Sequence, residues 1–199
     1  HRYLVAQGVV ETVKGSGPFV RKNRPWTAIT SSWWTPRPPG MPDLWTTRTQ
    51  DMGRVGTQDI LFVGSAEPPE RVRVEMGLAD AETAVLRHRV MRLDGRPVQI
   101  VYSYYPHDVA DETPLAELRK IRGGAPTFLS RLPDPPVRVH ETSHARMPTG
   151  EERARLEIPD AVPVMDLLLC AVTVGGRAVE VAINVIRGDV HRLRYEHGV

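Results

Sequence analysis

The chain has 199 residues, 41% of them hydrophobic and 25% charged, with a formal net charge of +2. That length supports one domain of ordinary size plus an appendage, and so slight a charge does not by itself establish nucleic-acid binding. No apolar run approaches the roughly 18 residues that cross a bilayer, the opening segment His1 to Gln7 is too short in its apolar part for a signal peptide, and the single cysteine, Cys170, excludes a disulfide framework.

Cys170 lies in the apolar run Leu167-Leu168-Leu169-Cys170-Ala171-Val172 and reads as a small buried hydrophobe, so a cytoplasmic protein without membrane association is expected. Tyr3 to Gly8 reads as the end of an amphipathic helix closed by glycine. Val9 to Val13 is extended, Lys14-Gly15-Ser16-Gly17 is a tight turn, and Pro18 to Arg21 returns as a second strand. A helix end and one hairpin cannot bury a core, so the remainder of residues 1–21 as a unit is expected upstream. Residues 22–54 lack a sustained period and are punctuated by Pro25, Pro36, Pro38, Pro39 and Pro42, which predicts a linker. Its tryptophans Trp33, Trp34 and Trp45 are costly to leave in water and predict docking, either on this chain or on a partner.

Residues 55–199 are regular. Pro68 to Met76 reads as a helix ended by Gly77, Thr83 to Leu93 as a strand, Asp94-Gly95 as a hairpin turn and Arg96 to Tyr105 as the return strand. The pattern recurs about 80 residues later: a helix from Thr149 to Leu156, a strand from Val162 to Val174, a turn at Gly175-Gly176, and a strand from Arg177 to Ile186. A short helix from Leu115 to Arg122 and a strand near Val137 to Ala145 are expected between the halves. Two helix-plus-hairpin halves imply an α+β domain, one antiparallel sheet with helices on one face.

Two stretches resemble known families. Gln7-Gly8-Val9-Val10-Glu11-Thr12-Val13-Lys14-Gly15-Ser16-Gly17-Pro18-Phe19-Val20 resembles the end of a GntR-type winged helix-turn-helix. Thr57 to Tyr195 resembles the UTRA effector domain of the HutC subfamily, a chorismate lyase-like fold. The matching motifs, in family order, are Leu86-Arg87-His88-Arg89, Asp94-Gly95-Arg96-Pro97-Val98, Ser103-Tyr104-Tyr105-Pro106, Ala145-Arg146-Met147-Pro148-Thr149, and Gly176-Arg177-Ala178-Val179-Glu180 followed by Arg187-Gly188-Asp189. The resemblance implies an effector-controlled DNA-binding regulator, a repressor acting as a homodimer on operator DNA and not an enzyme.

By spacing alone the first hairpin is any glycine turn with solvated basic neighbours. The resemblance makes it a wing, in which Gly15 and Gly17 open the turn, Lys14 and Arg21 meet phosphates and Ser16 approaches a minor groove. Base-reading residues belong to a recognition helix outside this sequence, so specific DNA binding by the chain alone is not expected.

On a strand, Arg87, Arg89 and Met91 share one face, opposite Leu86, His88 and Val90. Two arginines so placed can hold a carboxylate or phosphate, or form a solvent-facing stripe. The resemblance implies a ligand role for Arg89 more than for Arg87, and for the small residues near Gly64-Ser65. It also implies effector contact by Glu180, whose face Asn184 shares. Ser103, Tyr105 and Glu141 are further candidates, each equally readable as structural. Where sugar-phosphate sensors carry an acid after the first turn this chain has Val101, and where they carry tyrosine before the closing Gly-Asp it has Ile186, which points to a more apolar effector, an anionic one included.

No cofactor or metal is expected. His140 and His144 have H-x3-H spacing, but on a strand residues four apart lie about 13 Å apart. The competing reading is a chorismate-lyase-like enzyme acting on a small anionic metabolite, against which stand the wing and the lack of an obvious acid–base pair. A third is a sensor without DNA binding.

Overall fold

A computed structural model describes residues 2–6, 9–13, 15–20, 26–29, 34–38 and 40–195. Helix α1 (Arg2–Ala6) precedes an antiparallel hairpin of β1 (Val10–Val13) and β2 (Gly17–Val20), with Val10 opposite Val20 and Val13 opposite Gly17. Gly15 and Gly17 both have φ of +87°, a backbone state that any side chain would strain, and Gly15 and Ser16 are exposed at the turn. Lys14, Arg21, Gly8 and Trp33 lie outside the described residues.

The segment expected to be a linker contains two elements. Strand β3 (Trp26–Ile29) is paired to the C-terminal strand, as described below. Helix α2 (Leu44–Asp51) is set by its cap and not by an apolar period: Asp43 Oδ1 accepts from the Thr46 amide at 3.0 Å, while three threonines and a glutamine dilute the hydrophobic face. It is packed by Trp45, whose Nε1 donates to the Thr57 carbonyl at 3.1 Å. Contact is so close at Gly56 that a Cβ there would stand 2.8 Å from Trp45 Nε1 and collide with Thr49.

Next come β4 (Gly56–Ala66), α3 (Glu70–Met76), β5 (Ala84–Leu93), β6 (Arg96–Tyr105), α4 (His107–Ala110) and α5 (Ala125–Leu129). They are followed by β7 (Arg138–Arg146), α6 (Gly150–Leu156), β8 (Val164–Val172), β9 (Ala178–Arg187) and β10 (His191–Arg194). Strands β4 to β9 form one antiparallel sheet in the order β4-β5-β6-β9-β8-β7. The expected duplication is plain in that order. Each half runs edge strand, helix, then hairpin, and the halves meet at the β6–β9 pair, where Val101 faces Asn184 and Ser103 faces Ala182. Turn geometry supports each repeat: Asp94 (φ +50°) and Gly95 (φ +77°) close the first hairpin, and Gly176 (φ +83°) closes the second.

Helices α3 and α6 cover one face of the sheet, burying Val72 and Leu156 against Val90, Ile100, Val181, Ile183 and Val185. Gly77 ends α3 in the left-handed conformation, and Thr149 with Glu152 starts α6 in a reciprocal capping box. The buried Asp166 carboxylate holds the bidentate Arg71 of α3 at 2.7 and 3.0 Å and Arg146 of β7 at 2.8 Å, joining the two halves on this side.

Helical pieces also occupy the second face, beyond the single-face expectation. There α4 and α5 pack Val109, Ala110 and Leu129 against Val85 and Tyr105. The helix expected from Leu115 to Arg122 is absent. A single 3-10 turn at Pro114–Ala116 stands in its place, and α5 begins only after Gly123 and Gly124, both at positive φ. The cause is a competitor for the carbonyls: Arg87 takes those of Leu115, Glu117 and Arg119, which a helix would give to its own amides. Val179 joins the second face and Val181 the first, beside a bulge at Ala171/Val172. Finally β10 runs parallel to β3, with His191 opposite Trp26. Among the described residues no helix is long and apolar enough to cross a membrane.

Candidate effector site

Where the two halves meet, the second face of the sheet holds a cavity of about 180 Å³. Its floor is Arg89 and Met91 of β5, Gln99, Val101 and Ser103 of β6, and Glu180, Ala182 and Asn184 of β9. Its roof is Leu44, Trp45 and Arg48 of α2, with Trp34 and the turn entering α5. The volume exceeds the roughly 150 Å³ engineered cavity that takes up benzene, so a small molecule fits.

Period-2 alternation places these side chains together. Arg89 on β5 lies beside Val101 on β6, and Ser103 follows two residues on, so Arg89 Nη2 reaches the Ser103 hydroxyl at 2.9 Å. Arg89 Nε, like that of Arg87, is buried with no hydrogen-bond partner among the described residues. Glu180, 5% exposed, accepts from the Tyr105 hydroxyl at 2.9 Å. Burial pushes its carboxyl above the ordinary range, while Arg89 pulls the other way. Tyr105 is fully buried, and burial beside Glu180 raises its phenol. At the other end Gln99 Nε2 donates to Asn184 Oδ1 at 2.8 Å. Arg48 stands on the opposite wall, its pKa lowered by burial and then by Arg37. Asp43, also in the wall, is engaged in capping α2 and lies 3.8 Å from Lys120 Nζ.

Arg87 behaves differently from its neighbour two residues on. It is 1% exposed, and its guanidinium donates to the carbonyls of Pro114, Leu115, Glu117 and Arg119 at 3.3, 2.8, 2.7 and 2.7 Å. It borders the cavity but clamps the loop before α5. Of the other candidates, Ser103, Glu180 and Asn184 line the cavity, and Tyr105 reaches it only through Glu180. Ser65 is not in the lining; it lies near the His107 ring, 3.3 Å from Nε2. Glu141 is on edge strand β7, away from the lining.

Reading the sequence alone missed Trp34, Trp45, Arg48, Gln58 and Gln99 as lining residues. The tryptophans carried a usable signal, their burial requirement, and they dock on this chain: Trp45 packs against Met91, Leu93, Val98 and Val101. Gln99 lies diagonal to Asn184 across the central β6–β9 pair, opposite Ile186 in register, a proximity that only the strand order reveals.

Comparison with known proteins agrees with this architecture. The UTRA domain family model matches residues 51–192. Among solved structures, one described as a GntR-family transcriptional regulator superposes with a TM-score of 0.74 at 23% identity, covering 100% of this chain and 79% of that one. PhnF from Mycobacterium smegmatis gives 0.66 at 17% identity, covering 100% and 82%. The C-terminal domain of the histidine utilization repressor from Pseudomonas syringae pv. tomato gives 0.62 at 17% identity, covering 72% and 99%. No curated protein sequence matches the chain. A duplicated hairpin sheet with a cavity at its centre, under a family model that spans most of the sequence, places this chain in the UTRA domain family.

Proposed function

We propose that the protein is a transcription regulator, a repressor of the HutC type, whose affinity for operator DNA is set by a small molecule held in the central cavity. The observation that carries this reading is Arg89: a guanidinium on the cavity floor beside the hydroxyl of Ser103, its Nε without a partner among the described residues. Occupancy acts on DNA by favouring one arrangement of the effector domain relative to the wing. The hairpin of β1 and β2 is the wing, Gly15, Ser16 and Gly17 forming its tip, and Lys14 and Arg21 the phosphate contacts. Residues 1–21 then end the DNA-binding domain, and 22–54 join it to the effector domain of 55–199 while supplying the roof of the cavity through Trp34 and α2, in a cytoplasmic homodimer.

The test is fluorescence anisotropy of DNA from upstream of the gene, using the natural gene product with and without small molecules extracted from its host. A change in affinity of about 5-fold to 150-fold is the expected scale. Unchanged affinity across all fractions would contradict the proposal.

One observation favours a second reading, a chorismate-lyase-like enzyme. Glu180 is a buried carboxyl with a raised pKa beside Arg89, the environment that makes a general acid. Release of pyruvate from chorismate, lost in Glu180→Gln, would establish it; absence of release favours the regulator.

A further inference from the structure

We propose that the cavity selects a small amphipathic carboxylic acid of single negative charge and rejects phosphate esters. The inference rests on the effector reading above and names the ligand class. Three features carry it.

The first is the charge balance. Of the two strand arginines only Arg89 presents its guanidinium to a ligand, because Arg87 is engaged by four backbone carbonyls. Arg48 adds a second cation across the cavity. Against them stands Glu180, buried in the same floor and tied to Tyr105. A carboxylate set on Arg89 leaves Glu180 facing a neutral part of the ligand, where a hydroxyl or amide hydrogen can donate to it. A dianionic phosphate would bring two charges to the same acidic residue, one oxygen of which already accepts from Tyr105.

The second is the wall chemistry. Trp45, Met91, Val101 and Leu169 give the cavity apolar sides, and Trp34 adds a second indole. A sugar ring carries hydroxyls over most of its surface, and each one lacking a partner against these walls costs binding energy. A flat hydrocarbon group does not have that cost. The third is size. At about 180 Å³ the space suits a molecule of about ten non-hydrogen atoms and crowds a hexose phosphate. Rejection of the dianion is therefore a built feature of Glu180, in the sense that specificity needs an element acting against the competitor.

Thermal denaturation of the chain with three probes tests this: phenylacetate, its neutral isostere phenylacetamide, and glucose 6-phosphate, each up to about 10 mM. Phenylacetate is expected to raise the melting temperature saturably and the other two to leave it unchanged. Arg89→Ala is expected to weaken phenylacetate at least about tenfold, and Glu180→Gln to let glucose 6-phosphate produce a shift. The wild-type comparison of the three probes stands alone if either variant fails to fold. A shift with glucose 6-phosphate and none with phenylacetate would overturn the ligand class while leaving the cavity an effector site. Equal shifts from phenylacetate and phenylacetamide would overturn the role of charge. No shift from any probe would count against both the class and the effector reading.

Discussion

Arg87 and Arg89 are two residues apart on one strand face, yet the structure gives them opposite work, and a pair of substitutions separates the two. Arg87→Met keeps the length of the apolar stem and removes the guanidinium. Four carbonyls, those of Pro114, Leu115, Glu117 and Arg119, then lose their donor. A buried acceptor left unpaired costs about 1–3 kcal/mol, but Glu117 and Arg119 lie near the surface, where water replaces the lost bonds, and relief from burying a charge offsets part of the rest. A net loss of about 3–5 kcal/mol is expected, lowering the melting temperature by roughly 6–20 °C. Arg89→Met removes one hydrogen bond, to Ser103, and a cation near Glu180, which can then take up a proton. Its cost is expected to stay within about 1 kcal/mol, a shift of roughly 2–4 °C, while ligand-induced stabilisation disappears. Calorimetric melting of both variants with and without phenylacetate is the assay. A melting temperature for Arg87→Met within about 2 °C of wild type, or a loss in Arg89→Met as large as in Arg87→Met, would refute this division of roles.

Asp166→Asn tests the clasp on the helix side. Burial pushes that carboxyl up, but Arg71 and Arg146 hold it below its ordinary value, and both arginines keep some contact with water, so a loss of about 2–3 kcal/mol by urea denaturation is expected. Buried His191 has its pKa pushed down to about 4 by burial, so the unfolded chain binds its proton first and stability falls as pH drops from about 6.5 to 4. His191→Gln is expected to remove most of that slope, amounting to roughly 3 kcal/mol, with the residue belonging to His88, which burial lowers in the same sense; an unchanged slope between pH 6.5 and 5 contradicts the assignment. Gly56→Ala forces a methyl into Thr49 and Trp45 and is expected to cost about 1–3 kcal/mol and lift α2 from the cavity. Gly150→Ala, in the first turn of α6 with open space around it, is expected to stabilise by roughly 0.5–1 kcal/mol; melting temperatures of the two should move in opposite directions.

Strands with strict alternation were readable before any coordinates, because one buried face imposes a period of two. Both hairpins, their turns and the α3 and α6 caps fell near their expected positions, since Gly77, Gly95, Gly176 and the Thr149–Glu152 pair act locally. What escaped depends on partners distant in sequence. Helix α2 is held by packing on β4 at Gly56, and the loop after Pro114 is irregular because an arginine 27 residues earlier takes its carbonyls. The site divided on the same line. Arg89, Ser103, Glu180 and Asn184 line the cavity because alternation put them on one face, whereas Ser65 and Glu141 share the sheet but not the cavity. The roof, Trp34, Trp45 and Arg48, came from a segment whose prolines and threonines concealed a folded element.

The most direct measurement is a crystal structure of the protein grown with phenylacetate. Electron density for the carboxylate against Arg89, with the ring between Trp45 and Val101, is the expected result. Full occupancy elsewhere on the molecule, with the floor between Arg89 and Glu180 holding only water, would contradict the claim that this cavity is where the effector binds.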